Sequence, residues 1–87
     1  MSLLKEIQEK IEKLIPNSTV YVLDPRRDGQ HLQALVISPV FEGMTLIKQH
    51  QMVMTALKQD FSSSLHALGL KTFTPAKWQE VKSQYSL

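Results

Sequence analysis

The sequence predicts an α+β fold, a three-stranded sheet packed with helices in one domain covering residues 1–87. Three observations predict it. Apolar residues recur at helical spacing near the N-terminus and again after residue 45; β-branched runs flank a polar Pro/Gly turn; and a Thr-Pro pair opens a last apolar-patterned segment.

Residues 2–15 form the first element. Leu3, Leu4, Ile7, Ile11, Leu14 and Ile15 make one stripe of a 3.6-residue period, while Glu6–Lys10 and Glu9–Lys13 stand at i, i+4 on the wet face. Pro16-Asn17-Ser18 ends the helix. Thr19-Val20-Tyr21-Val22-Leu23 suits a strand, and Asp24-Pro25-Arg26-Arg27-Asp28-Gly29 suits a turn. Gln30 to Ser38 reads as a second strand closing a hairpin. Its Leu35-Val36-Ile37 run is apolar on both faces, which marks a central strand.

Pro39 to Gly43 breaks the pattern. The helical period returns from Thr45 to about Phe61, with Leu46, Ile47, Val53, Met54, Leu57 and Phe61 on the inward stripe. Ser62-Ser63-Ser64 ends or interrupts it, leaving one helix or two short ones. Ala67 to Phe73 reads as the third strand. Thr74 then caps a helix with Pro75 at its first position, and Trp78, Val81 and Tyr85 face inward. The order is α-β-β-α(α)-β-α.

Composition narrows the function. The 87 residues contain no cysteine, which removes disulfides, thiolate zinc sites, cysteine nucleophiles and any self-contained Cys-ligated iron–sulfur cluster. This fits a reducing, cytoplasmic setting. Ten Lys/Arg against eight Asp/Glu give a formal charge of +2, a mild excess scattered along the chain. No apolar run is long enough for a membrane span, and the acidic first ten residues do not read as a signal peptide.

Three histidines carry the candidate chemistry. His66, in Leu65-His66-Ala67-Leu68, stands where the serine run passes into the third strand, where a metal or partner can reach a ring nitrogen; a helix-end histidine bonded to a carbonyl is the plainer alternative. His31 follows the hairpin turn, and only the fold can bring it to His66. Two imidazoles would suit zinc, iron or copper and leave coordination open to an external ligand. His50 lies between Leu46/Ile47 and Val53/Met54, so it is expected at the core or its margin. Met44, Met52 and Met54 read as core filling.

No nucleophile elbow, P-loop, zincin or dinucleotide motif is present, and Ser62–Ser64 near His66 lack an acid to orient the imidazole, so no enzyme is expected. The element order is that of a KH-like domain of the second topology. The G-x-x-G nucleotide clamp is absent, although Lys48, Lys58, Lys71 and Lys77 are available for phosphates.

Phe41-Glu42-Gly43-Met44-Thr45, Ile47-Lys48-Gln49-His50-Gln51, Leu65-His66-Ala67-Leu68 and Thr72-Phe73-Thr74-Pro75-Ala76-Lys77-Trp78 together resemble the BolA family over about Gly29 to Trp78. Gly29-Gln30-His31-Leu32-Gln33 and Phe41-Glu42-Gly43-Met44 are most similar to its short bacterial branch, IbaG or YrbA. The resemblance implies an α-β-β-α-α-β-α, class II KH-like fold. It also implies a monothiol CGFS glutaredoxin partner sharing a [2Fe–2S] cluster in iron–sulfur trafficking or iron sensing.

In that reading His66 is one cluster ligand and His31 takes the place of the second. The glutaredoxin thiolate and glutathione supply sulfur, and imidazole ligation makes the cluster Rieske-like. The isolated chain holds no cofactor, and a homodimer remains open. The alternative is a DNA- or RNA-binding regulator of stress or envelope genes using Lys48, Lys58, Lys71 and Lys77. Many family members carry Arg-His-Arg where this chain has Gln49-His50-Gln51, so two expected phosphate-binding charges are missing.

Overall fold

The computed structural model describes residues 3–27, 32–61 and 68–85. Helix α1 (Leu3–Leu14) is followed by strands β1 (Thr19–Leu23) and β2 (Leu32–Ile37), a 3-10 turn at Pro39–Phe41, helix α2 (Leu46–Phe61), strand β3 (Leu68–Phe73) and helix α3 (Pro75–Val81), which runs into a second 3-10 turn at Lys82–Tyr85. One sixteen-residue helix therefore fills the whole 46–61 segment. The serine run 62–64 and Ala67 lie outside the described residues.

The sheet order is β1-β2-β3, with β2 in the centre as its two-faced apolar run requires. β1 and β2 are antiparallel in the register Thr19↔Ile37 to Leu23↔Gln33, and β2 and β3 are parallel from Leu32↔Leu68 to Ile37↔Phe73. The hairpin turn starts with Arg27 N–H donating to the Asp24 carbonyl at 3.0 Å, and Arg27 takes φ 54°. The parallel pair needs a crossover, which α2 supplies.

Alternation along the strands sorts the side chains into two cores. Val20, Leu32 and Val36 pack on one face with Ile7 and Ile11 of α1, Ile15 just beyond its end, Val53 and Leu57 of α2, and Phe41. Leu35 and Ile37 pack on the other with Trp78, flanked by half-buried Tyr21, Leu23, Phe73, Val81 and Tyr85. The inward placement of Trp78, Val81 and Tyr85 holds, and so does the cap: Lys77 N–H donates to Thr74 Oγ1 at 3.3 Å, with Pro75 opening the helix.

Three expectations are corrected. Leu14 is 45% exposed, because Ile15 takes the inward position at the helix end. Leu46 and Ile47 are 65% and 71% exposed. Ile47 lies about 120° round the helix from Val53, whereas Leu46 points the same way as Val53 but sits in the first turn, beside an open groove. The inward place in that turn belongs to Gln49, four residues before Val53. Met44 and Met52 pack against the aliphatic core as expected.

Ser38 fastens one end of the sheet. It is fully buried; its hydroxyl donates to the Pro16 carbonyl at 2.7 Å and accepts from Val40 N–H at 3.2 Å, while its own N–H donates to the Phe73 carbonyl at 3.1 Å.

Candidate functional site

The opposite end of the sheet is where β2 and β3 begin. Because these strands are parallel and Leu32 pairs with Leu68, the chain enters both at the same end, side by side. His31 precedes Leu32 by one residue and His66 precedes Leu68 by two. Both histidines lie outside the described residues. Leu32 is buried and Leu68 half-buried against the aliphatic core, so the two strand starts are held by packing.

The donor inventory limits what this end can do. With three histidines and no cysteine, the chain cannot supply the sulfur ligands that a [2Fe–2S] cluster takes from protein thiolates. Among the described residues there is no group of three or more His, Cys, Asp or Glu side chains able to hold a metal. A cluster at the strand starts would therefore depend on a second molecule for its thiolates.

His50 is half-buried on α2 at the core margin, as its spacing predicts. It lines a groove of about 430 Å³ with Leu46, Leu70, Lys71, Thr72, Phe73 and Lys77. The four candidate phosphate-binding lysines are all exposed. Only Lys71 and Lys77 come together, on this groove. Lys48 and Lys58 stand ten residues apart on α2, about 15 Å along its axis. Lys77 also meets Glu80 at 3.7 Å, and the Lys71 ammonium lies 5.8 Å from the Tyr85 ring centroid.

One polar cluster escaped the sequence reading. Gln49 and Thr72 are each only 6% exposed. Thr72 Oγ1 donates to Gln49 Oε1 at 2.6 Å, and Gln49 Nε2 donates to the carbonyls of Met44 at 2.9 Å and Phe41 at 3.4 Å. The cluster ties the first turn of α2 to β3. The signal was present: Gln49, Val53 and Leu57 follow one another at i, i+4, i+8. Position 49 is thus interior, so at this site the missing arginine is not a lost surface charge.

A family model described as BolA-like protein matches residues 5–77. This chain belongs to the BolA family. The acid stress protein IbaG of Escherichia coli is 31% identical over 74 residues, covering 84% of each chain. The DNA-binding transcriptional regulator BolA of Vibrio cholerae is 28% identical over 79 residues, 91% of this chain and 74% of that one. BolA-like protein 1 of mouse is 36% identical over 56 residues, 64% of this chain, and the match spans only 41% of its length. A bolA homologue from Coxiella burnetii superposes with a TM-score of 0.75 at 36% identity, over 91% of this chain and 99% of that one. The Vibrio and Escherichia relatives are named as a regulator and a stress protein, and the small three-stranded mixed sheet with three helices is the BolA architecture. Among the described residues no helix is long and apolar enough to cross a membrane.

Proposed function

We propose that this BolA-family protein is a non-enzymatic, cytoplasmic adaptor that binds a [2Fe–2S] cluster jointly with a monothiol CGFS glutaredoxin, in iron–sulfur trafficking or iron sensing. His66 is the principal ligand from this chain and His31 the second. The observation that carries the reading is the parallel Leu32↔Leu68 register, since each of these paired residues follows a histidine by one or two positions. Two imidazoles cannot complete the site, so the partner's thiolate and glutathione supply the sulfur ligands. Nitrogen ligation on one iron raises the potential of a cluster above that of an all-thiolate one.

The test is visible absorption and circular dichroism of the protein mixed with a cluster-loaded CGFS glutaredoxin. A new spectrum is expected with the wild type and lost with His66→Ala. His31→Ala should perturb it less, because solvent or glutathione can replace a loop ligand. An unchanged spectrum with folded wild-type protein sinks the proposal.

A second reading, a DNA- or RNA-binding regulator of stress or envelope genes, draws on the Vibrio relative's name and on Lys71 and Lys77 sharing one groove. Salt separates the two: nucleic-acid affinity falls steeply with added salt, whereas ligation of a cluster does not.

A further inference from the structure

Among the described residues β3 is an edge strand, paired with β2 alone. The Phe73 carbonyl accepts from Ser38 on the β2 side, so by alternation the backbone N–H and C=O groups of Leu70 and Thr72 point away from the sheet. Alongside that edge runs the groove lined by Leu46, His50, Leu70, Thr72, Phe73, Lys71 and Lys77. The edge divides it chemically. Leu46, His50 and Leu70 lie toward α2, with the exposed Ile47 on the same helical turn as Leu46. Lys71 and Lys77 lie toward α3. None of the described residues lining the groove is an acid; Glu80, which meets Lys77 at 3.7 Å, is not among them.

We infer that this edge accepts an extended partner segment in which apolar residues alternate with Asp or Glu, added as a fourth strand beside β3. Successive side chains of an added strand point to opposite faces, so such a segment offers apolar groups to Leu46 and Leu70 and carboxylates to Lys71 and Lys77. The Thr72–Gln49 bond pins the accepting strand to α2 beforehand. A second copy of this chain fits poorly, because pairing β3 with β3 sets Lys71 and Lys77 of each copy against those of the other. Lysine on an edge strand is a known block to such self-pairing. The groove beside β1 differs: at about 280 Å³, it is lined among the described residues by Asn17, Thr19, Tyr21, Ile37, Pro39, Pro75, Trp78 and Gln79, none of them charged.

The test uses the full chain without cluster, so it is independent of the adaptor reading. The probe is a capped heptapeptide, Asp-Val-Glu-Val-Asp-Val-Glu, titrated into labelled protein and followed by NMR. The amide signals of Leu70 and Thr72 should shift, and their hydrogen exchange should slow by about tenfold or more. Lys71→Glu should weaken binding by at least about threefold, and Leu46→Asp by a similar factor. Both positions are exposed, so thermal melts of the variants should match the wild type. A peptide N-methylated at alternate residues, or one with Lys in place of its acids, should fail to bind. The inference is overturned if those amides do not respond at millimolar peptide, if the N-methylated or lysine peptide binds equally well, or if a single-stranded DNA dodecamer moves them when the acidic peptide does not.

Discussion

The two faces of the sheet are built from different materials. Toward α1 and α2 the core is, among the described residues, aliphatic apart from Phe41, and the nine of them that are buried there are at most 4% exposed. Toward α3, among the described residues, only Leu35, Ile37 and Trp78 are buried, and half-buried aromatic rings do much of the covering. Tyr21 and Tyr85 each stack on Trp78 at 5.7 Å between ring centroids, while Phe73 tilts against it at 5.4 Å. Two long helices can bury a face with branched aliphatics. A seven-residue helix cannot, and large rings make up the missing area.

The largest effect is therefore expected on the aliphatic face. Phe41→Ala removes a fully buried ring and should destabilise by about 3–5 kcal/mol, read as a loss of at least ~12 °C in Tm. Trp78→Ala should cost about 2–4 kcal/mol by denaturant titration, less than Phe41→Ala because its surroundings are already partly wet. If Trp78→Ala proves the more damaging, the aromatic face is the principal core and the comparison reverses. Thr72→Val sharpens it differently. It keeps the volume but leaves the buried Gln49 carbonyl without its donor, and about 1–3 kcal/mol should be lost in chemical denaturation. Leu46→Ser should stay within about 0.5 kcal/mol of wild type by the same measurement, since the side chain is largely exposed.

Much of the fold was legible because burial in α1 and β2 follows simple periods. Ile7, Ile11 and Ile15 repeat every four residues, and Leu35-Val36-Ile37 needs cover on both sides. Thr74-Pro75 declared a helix start by its own chemistry. At the beginning of α2 hydrophobicity is a poor guide: Ile47 faces away from the core, Leu46 faces the way of Val53 but stands in the first turn beside an open groove, and polar Gln49 is inside, held by bonds to Met44, Phe41 and Thr72. Periodicity cannot price a hydrogen bond formed across 23 residues. The pairing of His31 with His66 came from family resemblance, and no local pattern joins residues 35 positions apart. Only the parallel register of β2 and β3 gives that pairing a physical route.

The same register sets an order in time. The β1–β2 hairpin closes between Leu23 and Gln33, ten residues apart, whereas joining β2 to β3 brings Leu32 to Leu68 across 36. Loop-closure entropy makes the second seam costlier by about 1 kcal/mol, so β3 should dock after the hairpin has formed. The last seam to close in folding is then the one at which the segments carrying both candidate ligands enter the sheet, and a newly made chain acquires its outline before it brings those segments together.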